Sequence, residues 1–150
     1  MARAKQLTIS HENRPGMVAE IAKVLGDAKV NMLSCLTTTS ETKGVTHLVV
    51  DKANKAKRAL ANAGLGYVEA DVLCVKLPNT FGALEKFARK LAEKNINISM
   101  GYATSGEGSR KTTVVLAVSD IFVARESSSS TAARLRARCA LPCCAVAQLR

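Results

Sequence analysis

Residues 11–32, HENRPGMVAEIAKVLGDAKVNM, decide the fold of this chain. They follow a stretch in which Leu7 and Ile9 alternate with Gln6, Thr8 and Ser10, the pattern of a half-buried strand over residues 5–10. Pro15 and Gly16 then stand where an amphipathic helix over residues 15–28 begins. Proline suits a first helical turn, because its missing N–H has no helical partner there. Glycine lets another group come close to the backbone, and a helix N-terminus offers unpaired N–H groups at a positive dipole end. From these residues alone, the stretch reads equally as a plain helix start or as a small anion site.

The same pattern returns later in the chain. A shift of 66 residues lays positions 7–32 on 73–98 without a gap. Leu7 and Ile9 fall on Leu73 and Val75, Asn13 on Asn79, and Gly16 on Gly82. Val18, Ile21, Ala22 and Leu25, one helical face by spacing, fall on Leu84, Phe87, Ala88 and Leu91. The triplet Val30, Asn31, Met32 falls on Ile96, Asn97, Ile98. Repeats of this kind mark two copies of one supersecondary unit.

Each copy reads as βαββαβ, the split βαβ plan. In the first, the strand and helix lead to a strand over 31–38, a turn over 40–44 and a strand over 45–50. Asp51 then reads as the cap of a helix running to about Ala63, ended by Gly64, and 67–71 is the fourth strand. The second copy opens with a strand over 72–77, a helix over 82–94 and a hairpin of 97–104 with 112–118. Asp120 is matched to Asp51, which makes the second hairpin three residues longer. The expected class is α+β: two ferredoxin-like repeats, 1–71 and 72–120, with antiparallel sheets and helices on one face. Units of this size make marginal cores, so the copies are expected to join edge to edge or face to face and to dimerise.

After Asp120 the character changes. Residues 121–150 hold a run of serines, Ser127 to Ser130, then Arg, Ala, Cys and Leu. Two readings stand: a helix over 131–140 and a strand over 143–149 complete the second copy, or the segment is an atypical, partly disordered tail. Ala132, Ala133, Leu135 and Ala137 make no broad apolar stripe, which favours the tail.

The net charge of +10 invites a nucleic-acid reading. Five arginines against one glutamate in residues 121–150 account for much of the excess, and aromatic residues are 3% with no Trp, so no base-stacking platform is evident. Lys52, Lys55, Lys57 and Arg58 read as a solvated helix face. No apolar run approaches membrane-spanning length and no leader pattern follows Met1, so a cytoplasmic protein without membrane contact is expected. Cys35 and Cys74 read as small buried hydrophobes; Cys139, Cys143 and Cys144 match no zinc spacing.

The residues Asn13, Arg14, Pro15 and Gly16, an amphipathic helix, and the exit Val30, Asn31, Met32 resemble the ACT domain, and two copies with little else resemble the stand-alone tandem proteins of that family. The resemblance covers about residues 5–120. It implies a regulatory module that binds a small ligand, usually an amino acid, often between units, at the loop after strand one and the start of strand two. Carried onto this chain, those positions are Asn13, Arg14, Pro15, Gly16 and Met17, with Asn31 and Met32 opposite. A second site would use Asn79, Thr80, Phe81, Gly82 and Asn97, although Phe81 replaces the proline. The chemistry fits independently: a carboxylate suits the N–H groups near Gly16 and Met17, an ammonium needs an acceptor such as the Asn13 or Asn31 oxygen, and Met17 and Met32 adapt to a side chain. Each has a plainer role, as helix start, turn residue or core.

Enzyme chemistry finds little support. His11 and His47 are the only histidines, and no nucleophile, base and orienting group fall together. No metal or other cofactor is expected. The favoured function is a non-enzymatic sensor of a free amino acid or similar metabolite, acting as a homodimer or on a metabolic enzyme. The alternative is an interaction module without a ligand.

Overall fold

The computed structural model describes residues 2–106 and 108–126 of the 150. The helix over 131–140, the strand over 143–149 and the three clustered cysteines lie outside the described residues. Six strands are described: β1 (Ala2–Glu12), β2 (Met32–Ser40), β3 (Lys43–Val50), β4 (Tyr67–Pro78), β5 (Ile98–Thr104) and β6 (Lys111–Val118). Four helices accompany them: α1 (Met17–Asp27), α2 (Ala53–Asn62), α3 (Ala83–Ala92) and α4 (Ile121–Glu126). The strands form one antiparallel sheet in the order β2-β3-β1-β4-β6-β5. The class is α+β, two ferredoxin-like units fused edge to edge.

The fusion lies in β1 and β4. The stretches 67–71 and 72–77, read above as two strands, form the single strand β4, because no Gly or Pro interrupts the run from Tyr67 to Leu77. In its register Leu7 stands opposite Glu69 and Leu73 opposite Arg3. A shift of 66 carries Leu7 to Leu73, and the reverse shift carries Glu69 to Arg3, so the two strands are each other's counterparts about the Lys5–Asp71 pair. The N-terminal end of β1 thereby takes the place a fourth strand would fill in the second unit, with Ala2 to Ala4 paired to Val72 to Cys74.

All four helices cover one face. In the first core Leu7, Ile9, Leu48 and Val50 of the sheet meet Ile21 and Leu25 of α1 and Ala56 and Leu60 of α2. In the second, Leu73, Val75, Val114 and Leu116 meet Phe87 and Leu91 of α3 and Ala124 of α4. The apolar stripe of α1 begins at Met17, 6% exposed, and not at Val18, 47% exposed. Leu84, the counterpart of Val18, is also exposed, so both helices turn that first-turn apolar side chain to solvent.

The other face has a smaller core of Val49, Val72 and Val115, with Tyr102 and Cys74 packed against it. The sheet curls towards this face. Tyr102 of β5 reaches β1, where its hydroxyl donates to Gln6 Oε1 at 3.0 Å, and the hydroxyls of Ser34 and Thr104 bridge the two edge strands at 2.8 Å.

The match of Asp51 with Asp120 needs correction. Leu48 pairs with Leu7 and Leu116 with Leu73, so β3 corresponds to β6 by a shift of 68. The position equivalent to Asp51 is Ser119, and the second hairpin is longer by two residues. An odd difference would have turned every core side chain of β6 to the opposite face.

Candidate functional site

The loop between β1 and α1 is built on a tight turn. The N–H of Met17 donates to the carbonyl of Arg14 at 3.4 Å, and Gly16 sits at φ 92, ψ −16. This is the left-handed third position of a type II turn, which takes glycine there and proline at the position before. Pro15 therefore precedes the helix and does not occupy its first turn. Gly16 is the N-cap of α1, with no side chain capping the helix. The N–H groups of Val18 and Ala19 find no partner among the described residues, as expected of an uncapped first turn. Nothing lies within 4 Å of the place a Cβ on Gly16 would occupy.

Asn13 has a defined job. Its backbone N–H donates to Thr42 O at 2.9 Å and its side-chain Nδ2 to Glu41 O at 2.8 Å, clamping the β2–β3 turn onto the loop. Asn79 repeats the clamp on the second hairpin, with its N–H to Arg110 O at 2.9 Å and its Nδ2 to Ser109 O at 3.2 Å. The recurrence of Asn is explained by this clamp. Nδ2 is committed to a carbonyl, so only the Oδ1 of Asn13 is left to serve as an acceptor. Arg14 makes a two-pronged contact with Glu20, both bonds 2.9 Å, and this raises the guanidinium pKa through the hydrogen bonds first and the charge second. The role of Glu20 was not read from the sequence; its place in the first turn of α1, six residues after Arg14, is the signal that identifies it.

Asn31 and Met32 lie elsewhere. Met32 pairs with Val50, while Asn13 sits by the turn at the far end of β2. Eight residue steps of β2 separate the two groups, about 26 Å along the strand. Within one unit, residues 13–17 are thus not brought together with Asn31 and Met32. Asn31 exchanges backbone contacts with Asp51: its N–H donates to Asp51 Oδ1 at 2.9 Å, and its carbonyl accepts from Asp51 N at 3.1 Å. Asp51 does not cap α2, whose N-cap is Lys52. Asn97 and Ser119 repeat the exchange at 3.0 and 2.9 Å, and it is Asp120 that caps α4, accepting from the N–H groups of Phe122 and Val123. The side-chain amides of Asn31 and Asn97 are exposed, Met32 is 40% exposed, and Met17 is buried.

The second loop copies the first. Ala83 N–H donates to Thr80 O at 3.3 Å and Gly82 sits at φ 75, ψ 0. Phe81 takes the place of Pro15, a position any residue without φ strain can hold, and its ring is fully exposed. Thr80 and Phe81 border an open groove of ≈ 280 Å³ that continues to Leu77, Phe87, Lys86 and Lys90. Asn97 lies at the start of β5, away from this loop.

Both histidines lie within hydrogen-bond reach of sheet residues. His11 donates from Nδ1 to Glu12 O at 2.8 Å, which leaves Nε2 to accept from Thr46 Oγ1 at 2.9 Å. The His47 ring lies 3.1 Å from Thr8 Oγ1 and 3.3 Å from Gln6 Nε2, and burial lowers its pKa. Burial also pushes the Tyr102 hydroxyl up to about 12, so it stays a donor to Gln6. Cys74 is likewise raised by burial, the opposite of an activated thiol. Cys35, expected to be buried, is exposed on the edge strand β2. No group of three or more metal-ligating side chains occurs among the described residues, and none of their helices is long and apolar enough to cross a membrane.

The chain is similar to known proteins in sequence and in fold. The family described as ACT domain pair matches residues 2–126. Protein BT0572 from Bacteroides thetaiotaomicron superposes with a TM-score of 0.80 at 25% identity, over 87% of this chain and 89% of that one. The regulatory subunit of aspartate kinase from Thermus thermophilus, in a ligand-free form, superposes with a TM-score of 0.61 at 17% identity, over 83% and 89%. The corresponding subunit from Thermus flavus gives 0.58 at 16% identity, over 89% and 92%. The last two likenesses are of fold. No curated protein matches the sequence. With a duplicated βαββα core, a twice-used Asn clamp and a family match over most of its length, the chain belongs to the ACT domain pair family.

Proposed function

We propose that this protein is a non-enzymatic regulatory module of the cytoplasm that binds a free amino acid, or a similar small metabolite, at the β1–α1 loop of its first unit. One observation supports this reading: α1 starts at Gly16 with no side chain capping it and with open space at its Cβ position, three residues after Asn13. The N–H groups and the helix dipole suit a carboxylate. The Asn13 oxygen suits an ammonium, and the Arg14–Glu20 pair supplies both signs at the rim.

Because Asn31 and Met32 lie at the far end of β2, they reach the same ligand only from another unit. The ligand then sits at an interface, and assembly into a homodimer is part of the reading. Binding shifts an arrangement of units only as far as the ligand prefers one of them, and a partner such as a metabolic enzyme reads the result. The regulatory subunits that share the fold support this regulatory role.

The second reading, an interaction module without a ligand, is favoured by one observation. The edge strand β2 exposes Met32 and Leu33, 40% and 52% accessible, beside a backbone edge that no strand of the described residues pairs.

Thermal melting of the purified protein against each of the twenty amino acids separates the two. A ligand at a hundred times its Kd adds roughly 2.7 kcal/mol to a folded state that alone binds it. A selective rise, lost in Gly16→Val, supports the sensor. No rise with any of them rejects the amino-acid reading in favour of the interaction module.

A further inference from the structure

A second surface follows from the way β1 replaces a fourth strand in the second unit. The described residues of β1 pair with β4 as far as Ala2 and Cys74. Beyond that point β4 continues through Lys76, Leu77 and Pro78, paired on its other side with Thr113, Thr112 and Lys111 of β6. On the β1 side the described residues bring no strand to this stretch. An open groove of ≈ 540 Å³ runs there, walled by Val75, Leu77 and Phe87 on the helix side of the sheet and by Lys76 on the other. Leu77 and Phe87 also wall the adjoining groove of ≈ 280 Å³, whose outer rim carries Lys86 and Lys90. None of the three lysines has a carboxylate partner among the described residues.

We infer that this groove is a docking site for an extended segment of a partner protein in which apolar and acidic residues alternate, added to the sheet as a strand beside β4. The inference is separate from the amino-acid reading. A strand in this position points alternate side chains to opposite faces. Those on the helix side meet Leu77 and Phe87, and those on the other side meet Lys76. The backbone N–H and C=O groups of β4 that face away from β6 pair with the added strand, the general mode of strand addition at a sheet edge. Charge selects the occupant. Residues 127–150 of this chain carry four arginines and no acidic residue, so they repel a lysine rim, whereas an acidic segment complements it.

The test uses the full chain and a fluorescein-labelled eight-residue peptide of alternating valine and glutamate, read by fluorescence anisotropy. Saturable binding is expected, weakened at least about tenfold when lysine replaces glutamate in the peptide. The same loss is expected in a protein carrying Lys76→Glu, Lys86→Glu and Lys90→Glu, and on N-methylation of alternate peptide amides. The three lysines are exposed, so melting should be unchanged; if the triple variant melts lower, Lys76→Glu alone carries the comparison. Equal binding of both peptides, or indifference to charge reversal or N-methylation, overturns the proposal. So does a disulfide that forms on oxidation of the Lys76→Cys variant between the introduced thiol and a cysteine of residues 139–144, which would make the C-terminal segment the occupant. Self-association abolished by Lys76→Glu would make a second copy the occupant and would overturn it equally.

Discussion

Lys29 and Asn95 hold the same corner of the two units, both in the left-handed backbone region at φ 55 and φ 56. Each follows a helix and each lets the next residue bond back: Val30 N–H to Leu25 O and Ile96 N–H to Leu91 O, both at 3.0 Å. Glycine is the residue this closure prefers, and lysine is held there by the buried Val30 that follows it. Lys29→Gly is therefore expected to stabilise the protein by about 1 kcal/mol, measured by urea unfolding. Asn95→Gly should gain less, since Asn tolerates this conformation. A loss of stability in Lys29→Gly would contradict the account.

Gly44 is fixed by its neighbour across the strand. A Cβ on Gly44 would collide with His11 Cε1, within the ring that bonds Thr46. Gly44→Ala must displace that ring and should cost about 1–3 kcal/mol, the range for overpacking. Pairing it with His11→Ala should recover much of the loss, and a double-mutant cycle measures the coupling.

Asp120 and Asp51 look alike in sequence and do different work. Asp120→Ala removes the acceptor for two N–H groups at the start of α4 and should cost about 1 kcal/mol. Asp51→Ala leaves α2 without a lost cap and instead frees the start of β2 at Asn31. Hydrogen exchange should then rise at residues 31–32, with the first turn of α2 unchanged.

That pair also shows where sequence reading succeeds and where it stops. The 66-residue shift is legible because Leu7, Asn13, Gly16 and Leu25 each meet a matching residue at one spacing. Beyond the first helix the two Asp residues draw the alignment one residue off, since identity competes with strand parity and parity shows only in the pairing of Leu48 and Leu116. Loop residues 13–17 are adjacent in sequence and form one turn, but the turn type, and hence the position of Pro15 ahead of the helix, depends on Gly16 φ. The separation of Asn31 and Met32 from that loop follows from β2 running parallel to β1 across β3. Periodicity carries no information about such strand directions. The contacts Asn13–Glu41 and His11–Gly44 depend on cross-strand register and could not be read from spacing.

Acid should loosen the centre of the sheet. The hydrogen bonds from Arg3 and Lys5, then their charges, lower the Asp71 carboxyl from 3.8 to about 2, with Lys5 at 3.1 Å. Its folded value lies below its unfolded one, so its contribution is complete above about pH 4 and is lost as the pH falls towards 2. Glu69, held down by Lys57 and Lys5, acts in the same direction. Asp71→Asn should flatten the decline in melting temperature between pH 4 and 2, and added salt should shrink the difference because these groups are solvent-accessible. An unaltered decline would contradict the assignment.

The central claim is tested most directly by amide NMR of the protein during titration with whichever amino acid raises its melting temperature most. The account predicts saturable shifts at Gly16, Met17, Val18 and Ala19, with a second set at Asn31 and Met32 that appears only where the protein self-associates. Saturable shifts confined to other parts of the sheet, with residues 16–19 unmoved, would contradict it.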